Sequence, residues 1–379
     1  MVQSIVKLER LYTLLQMIPN YSSKLPLMTS KNLINQVKMQ PEIKISKQFK
    51  KNWKTRVDYM SLQDKFAQLQ HNLSLQIIGQ ERLIERLMVA LLADGHLIVE
   101  GAPGLAKTRA INALSQGIEG NFHRIQFTPD LLPADLTGTE IYRPQDGTFK
   151  FEKGPIFHNL VLADEINRAP AKVQSALLEA MAERQVTVGS HTYPLEKLFL
   201  VMATQNPIEQ EGTYPLPEAQ LDRFLMHVKV GYPNAAAEAK ILELTRSEAH
   251  KDFTQHESVD LMQDDLFTAR DQVLDIHMSE ELQAYIIQLI INTRETKTLD
   301  KDLDRWLDYG ASPRATISLD RCARASAWLA GRDYVTPEDI QNMAFDVMRH
   351  RLILTYEAEA EGIDSDMVIE KLIAVTPVA

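Results

Sequence analysis

Apolar residues recur along this chain in two rhythms. Five short segments, 96–100, 122–127, 159–164, 198–203 and 225–230, are rich in apolar or β-prone residues and too short for helices, so they predict strands. Between them, 107–117 and 171–184 predict helices. Strands that alternate with helices predict a parallel sheet covered on both faces, an α/β fold. Ahead of the first strand, Leu83, Leu87, Ala90 and Leu91 fall at helical spacing, and 60–95 reads as helical.

Residues 133–157 break the alternation. Asp146-Gly147 is a hairpin turn signal between two β-prone runs. A second hairpin is expected from Gln185 to Leu198, turning near Gly189-Ser190; it reads either as a working surface or as a cover over the sheet. After Tyr232-Pro233 the character changes. Asn234 caps a helix with Ala237, Ile241 and Leu244 on one side. Residues 251–272 are polar and acidic and read as a loop or weak helix. Helices are expected over 279–293, 313–330, 337–350 and 365–374. Thr336-Pro337-Glu338-Asp339 is a helix start: a Thr cap, Pro at the first position and acid in the first turn. The organisation predicted is an α/β domain over 60–232 and a small all-helical domain over 233–379.

Charge divides the chain differently. The 379 residues carry a net charge of −10, yet the first 59 hold 11 Lys and Arg against 3 Asp and Glu, a net of +8, which leaves −18 on the rest. The acidic remainder argues against a nucleic-acid surface. The basic 1–59 extension has three readings: a targeting or docking arm, a disordered tail, or an upstream stretch that is not translated in the cell. The last two are favoured, since the recognisable pattern begins at Met60-Ser-Leu-Gln; the segment has no glycine, no clear amphipathic run and no secretory layout. One cysteine, Cys322, excludes an internal disulfide and suits a reducing compartment. No apolar stretch approaches the roughly 20 residues of a membrane span. A cytoplasmic protein is expected.

The chemistry concentrates at 101–109. A strand, a glycine-bearing loop and then Lys-Thr opening a helix form a cradle for nucleotide phosphates. Gly101, Ala102, Pro103, Gly104, Leu105 and Ala106 offer backbone N–H groups; Lys107 reaches the terminal phosphates, the Thr108 hydroxyl takes Mg²⁺, and Arg109 follows on the helix. The bland reading is an ordinary strand–turn–helix connection. The general pattern asks for glycine where this chain has Ala106, and alanine fits only if that position avoids positive φ. Downstream, Asn159-Leu-Val-Leu-Ala-Asp164-Glu165 is a buried-strand run ending in two carboxylates, at the end of a strand where ligands of such sheets sit. Asp164 is placed for Mg²⁺ and Glu165 to polarise an attacking water, unless the pair simply caps a helix.

Two further residues have local arguments. Asn206 ends the strand that leads to Ala203 and could bond the attacking water or the γ-phosphate; otherwise it is a turn-forming Asn before Pro207. Ser312-Pro313-Arg314 reads as a cap followed by the first two helical positions. A cation there opposes the helix dipole at about 0.3–1 kcal/mol, which suggests a compensating anion such as the nucleotide's phosphates. Lys172, Glu179, Glu183 and Arg184 read as a solvated or subunit-facing helix surface.

Five blocks together resemble the MoxR family of AAA+ ATPases: Gly101 to Thr108, Phe127 to Gly138, Asp164 to Pro170, Ala203 to Gly212 and Leu216 to Phe224. The similarity spans roughly residues 60–375. Ala106 is that family's usual residue. The resemblance implies an AAA+ P-loop fold with a helical lid, and Mg²⁺-dependent ATP hydrolysis in a homo-oligomeric ring, taken to be a hexamer. It assigns Asn206 the sensor-1 role, Arg223 the arginine finger reaching a neighbouring subunit, and Arg314 the sensor-2 role. The bland reading of Arg223 is an ion pair to Asp222 or Glu218. Ile77, Ile78 and Gly79 become candidate contacts to the adenine base, or else core packing. The 133–157 insert becomes a pore-facing hairpin. The resemblance further implies a chaperone that matures or activates a client or adaptor protein, often one with a von Willebrand factor A-type domain and sometimes in metal-cofactor insertion. A nucleotide-dependent binding scaffold and a nucleic-acid motor are the alternatives.

Overall fold

A computed structural model describes residues 61–378 apart from Asp146, 208–211 and 250–260. The basic segment 1–59 and the Asp146 half of the turn signal lie outside the described residues. Helices α1 (Leu62–Gln76) and α2 (Glu81–Leu92) lead into β1 (Leu97–Glu100), and α3 (Lys107–Gln116) follows the loop. Next come β2 (Phe122–Gln126), the hairpin β3 (Gly138–Arg143) and β4 (Thr148–Lys153), β5 (Leu160–Asp164), and α4 (Ala171–Glu183). A second hairpin, β6 (Gln185–Val188) and β7 (His191–Pro194), precedes β8 (Leu200–Gln205) and β9 (Met226–Lys229). The remainder is helical: α5 (Ala235–Ala249), α6 (Gln263–Leu274), α7 (Glu280–Asn292), α8 (Pro313–Leu329), α9 (Pro337–Met348) and α10 (Ser365–Val375). To these helices the structure adds a small antiparallel ribbon, β10 (Leu307–Tyr309) with β11 (Ile353–Leu354).

The five central strands are all parallel, in the order β2-β5-β8-β1-β9. Every residue of β5 is buried, as a strand covered on both faces must be. Its side chains alternate between two cores. Leu160 and Leu162 join the core that runs through α1 and α2 into the C-terminal helices, whereas Val161 and Ala163 join the one covered by α4. Phe66 of α1 meets Trp328 of α8 edge-to-face at 5.1 Å, a contact worth about 0.5–1.5 kcal/mol beyond its buried area. Asp346 of α9 is fully buried and takes Arg86 at 2.7 Å, Arg82 at 3.0 Å and Arg349 at 2.8 Å. Burial alone would raise its pKa; these three guanidinium groups outweigh that and hold it below the usual range. The two hairpins pack together, with Phe151 and Tyr193 stacked at 4.0 Å.

Local signals explain most helix boundaries. Ser61 and Asp64 close a capping box on α1, and Thr336 and Asp339 do so on α9 with Pro337 in the first turn. Of the two readings left open for 251–272, the helix holds at its C-terminal end: residues 263–274 form α6, because Leu266, Ala269 and Val273 recur on one buried face. The polar residues around that face hide the period. Among the described residues, no helix is long and apolar enough to cross a membrane.

Among the described residues, four other than glycine have positive φ: Asp94, Ala106, Glu165 and Arg184. The expectation that Ala106 avoids this region fails, since it sits left-handed at φ 57°. A left-handed non-glycine residue costs about 1–2 kcal/mol, and such strain collects at functional sites. The loop turns so tightly into α3 that this position must reverse. Relief of the strain, less the extra chain entropy of glycine, predicts that Ala106→Gly stabilises the protein by about 0.5–1 kcal/mol in urea unfolding. A loss of stability would contradict it.

His96, at the start of β1, is buried and neutral. Its Nδ1 accepts from the Val201 N–H at 3.0 Å, so its Nε2 donates to the Met181 carbonyl at 3.3 Å. Burial, and then Arg184, push its pKa from 6.5 to about 4, and burial also pushes His350 well down. The unfolded chain therefore takes up protons first as pH falls. This stability is complete above about pH 6.5 and is lost towards pH 4, about 3 kcal/mol for His96. Urea unfolding is expected to give lower stability at pH 5 than at pH 7.5, a difference that shrinks in His96→Gln; equal stabilities would refute it.

Candidate functional site

The carboxyl ends of β5, β8 and β1 lie side by side, and this arrangement assembles the site. In register, Glu100 faces Gln205 and Val99 faces Thr204, while Ala163 faces Ala203. The loop 101–106 leaves β1 between β8 and β9. Gly101 passes so close to β9 that a side chain there would lie 2.8 Å from the Val230 carbonyl. Gly104 turns at φ 83° with open space around it. The loop delivers Lys107 and Thr108 as the first residues of α3. No side chain caps that helix and no acid lies in its first turn. Its leading N–H groups therefore point to a place suited to an anion. A cleft of about 290 Å³ opens beside Gly101, Ala102 and Leu105, with Pro207, Lys229 and Tyr232 on its other walls. A larger hollow of about 530 Å³, beside Trp328 and Arg332, is lined by none of these groups.

Each charged group predicted to do chemistry has an internal partner. Lys107 Nζ donates to the Gly101 carbonyl and, at 3.2 Å, to the Gln205 carbonyl. This contact ties α3 to the end of β8. Asp164 is buried; its Oδ1 accepts from Thr204 Oγ1 at 2.6 Å, and its Oδ2 accepts from Arg124 Nε at 3.0 Å. Glu165, left-handed at φ 57°, accepts from Gln126 Nε2 at 2.9 Å and from Arg168 Nη1 at 3.1 Å. Its own N–H donates to Thr204 Oγ1 at 2.9 Å. Gln126 closes the circuit, accepting from Arg124 Nη2 at 3.0 Å. Asn206 is buried at the end of β8.

Sequence reasoning gave no part to Arg124, Gln126 or Thr204. The sequence shows only that Arg124 and Gln126, two residues apart on a strand, share a face; it is the pairing of β2 with β5 that sets Gln126 beside Asp164. Arg109 is held elsewhere, by Glu248 of α5 at 3.2 Å. In the 77–79 segment, Ile77 is buried in the core and Ile78 is half-buried. Gly79 lies against Pro233 and Ala237 at the start of α5.

Arg223 and Arg314 stand apart from the loop. Arg223 precedes β9 and donates to the Leu178 carbonyl at 2.8 Å, not to Asp222 or Glu218. Ser312 caps α8 as expected, accepting from the Arg314 N–H at 3.2 Å. The anion beside the Arg314 side chain, however, is Asp222 at 3.6 Å. Without nucleotide, Arg314 therefore rests against a carboxylate of its own chain. Asp222 enters at the amino end of β9, a strand length of roughly 13 Å from the carboxyl end that holds the loop. Both arginines belong to that opposite end.

A bound triphosphate fits the uncapped first turn of α3 and Lys107. A carboxylate and a hydroxyl, Asp164 and Thr108, are hard oxygen donors of the kind Mg²⁺ takes, and that ion needs only one or two protein ligands. Among the described residues no group of three or more His, Cys, Asp or Glu could hold a metal.

The model of the ATPase family associated with various cellular activities (AAA) matches residues 96–226, and an AAA lid domain model matches 303–372. The chain is 46% identical over 301 residues to chaperone MoxR1 of Mycobacterium tuberculosis, covering 78% of each protein. It is 31% identical to protein MoxR of Methylorubrum extorquens, over 80% of this chain and 93% of that one. A crystal structure from Cytophaga hutchinsonii superposes with a TM-score of 0.78 at 46% identity, over 84% of this chain and 96% of that one. Fold, site and relatives agree: the chain belongs to the MoxR family of AAA+ ATPases.

Proposed function

We propose that this chain is a Mg²⁺-dependent ATPase that works as a homo-oligomeric ring, a hexamer, in the cytoplasm, and spends hydrolysis on remodelling or activating a partner protein. One observation carries the reading: the first turn of α3, which has no side-chain cap, shares with Lys107 the carboxyl edge of the sheet that bears Asp164 and Glu165. Gly101 to Ala106 and Arg109 frame the phosphates, and Ile77, Ile78 and Gly79 line the base side. Lys107 exchanges two carbonyls for phosphate oxygens. Thr108 and Asp164 hold Mg²⁺, which neutralises charge on those oxygens. Glu165 leaves Gln126 and Arg168 to orient water, with Asn206 beside it. Arg223 acts on the nucleotide of the neighbouring subunit, a contribution on the order of 10³–10⁵ in rate. Arg314, at the same end of β9, acts there too.

The partner is a client or adaptor protein, in the family's pattern one with a von Willebrand factor A-type domain. The β3–β4 hairpin supports this, because it exposes the paired rings of Tyr142 and Phe149 on one face and Ile141 on the other. The net charge of −18 beyond residue 59 argues against a nucleic-acid partner.

Glu165→Gln is expected to lower steady-state ATP turnover by about 10²-fold or more while ATP binding persists; undiminished turnover would sink the enzyme assignment. Arg124 and Mg²⁺ compete for one carboxylate oxygen. Arg124→Gln is therefore expected to lower the Mg²⁺ concentration for half-maximal ATP binding about two- to fivefold, read by titration with a fluorescent ATP analogue, and a rise would contradict the exchange.

A further inference from the structure

The segment 222–225 that carries Arg223 is fixed from the C-terminal side by one guanidinium. Arg351, whose side chain is 1% exposed, donates through Nε to Asp222 Oδ1 at 2.8 Å. Its Nη2 donates to the carbonyls of Asp222 at 3.2 Å and Phe224 at 2.6 Å, and its Nη1 to that of Leu225 at 3.3 Å. Residues on both sides of Arg223 are thereby held at the main chain. The Asp222 carboxylate also faces α8: Ser312 Oγ donates to its two oxygens at 3.0 and 2.9 Å, and Arg314 Nη1 stands 3.6 Å away. One carboxylate thus joins the strand entry that bears Arg223 to the helix start that bears Arg314.

We propose that Asp222, anchored by buried Arg351, is a positioning residue that presents Arg223 and Arg314 as one pair to the neighbouring subunit. This rests on the reading that both arginines act on that neighbour's phosphates. Asp222 is also the anion that Arg314 must leave when a phosphate draws it. The alternative is that the clamp merely joins a strand to a helix. The two differ in what they move. A purely structural clamp changes stability and ATP affinity together, or changes nothing. A positioning residue changes the rate at nearly constant affinity, and does so in the neighbour.

Asp222→Asn in the full chain keeps the size of the side chain and removes its charge. The expected result is a fall in kcat of roughly tenfold or more, with the Kd for ATP within about threefold of wild type or tighter. A mixing experiment assigns the effect. Subunits with Lys107→Ala cannot hold their own nucleotide and contribute only their arginines. Rings doped with Lys107→Ala plus Asp222→Asn are expected to lose about threefold more ATPase activity than rings doped equally with Lys107→Ala alone. Equal losses, or a kcat within twofold of wild type, would overturn the proposal. If Asp222→Asn fails to fold, Ser312→Gly removes the α8 link while leaving an acceptable helix cap, and the same split between kcat and Kd is expected at smaller size; its absence would likewise overturn the proposal. If wild type binds no ATP, or Arg223→Ala and Arg314→Ala both leave kcat intact, the proposed function fails rather than this inference.

Discussion

The first turn of α3 is the constraint on which the site depends. A helix start leaves four N–H groups without partners inside the helix, and this one receives neither a capping side chain nor an acid. Its position follows from the sheet. Since β1 lies between β8 and β9, the loop after it emerges beside the end of β8, and the β5 carboxylates follow one strand further on. The strained turn at Ala106 is what aims Lys107 and Thr108 back over that edge.

Charge is balanced by internal exchange partners rather than left open, both around this turn and at the opposite end of β9. Arg124 stands against Asp164, Arg168 and Gln126 against Glu165, and Asp222 against Arg314. Each contact is partly solvated, so each is individually weak enough to be replaced by a phosphate or a cation. The pairs built on buried guanidinium groups behave differently. Buried Arg351 with half-buried Asp222, and Arg86 with fully buried Asp346, hold the C-terminal helices to the strand entry and to α2. Breaking one partner of such a pair typically costs several kcal/mol. Firm joints in the scaffold and replaceable contacts at the site are the division of labour that the two kinds of ion pair produce.

Much of this was legible in the sequence because it is local. The five strand segments, the Thr336 helix start, the Ser312 cap and the order loop–acids–asparagine all depend on neighbours within a few residues. What was not legible depends on register between distant segments. Arg124 reaches Asp164 only because β2 pairs with β5, and Arg314 meets Asp222 only because α8 begins beside the entry to β9. Ala106 had the opposite fault: a reliable local rule against positive φ was overridden by the geometry of the loop. The helix at 263–274 was hidden because its apolar stripe is only three residues wide. The MoxR resemblance supplied a role for Arg223 that no local pattern carries.

Isothermal titration of the assembled protein with ATP and Mg²⁺, wild type against Lys107→Ala, tests the central claim most directly. The account predicts saturable uptake by wild type that disappears, or weakens at least about a hundredfold, in the variant. Uptake of equal affinity in both, or none in either, would contradict a phosphate site at the start of α3.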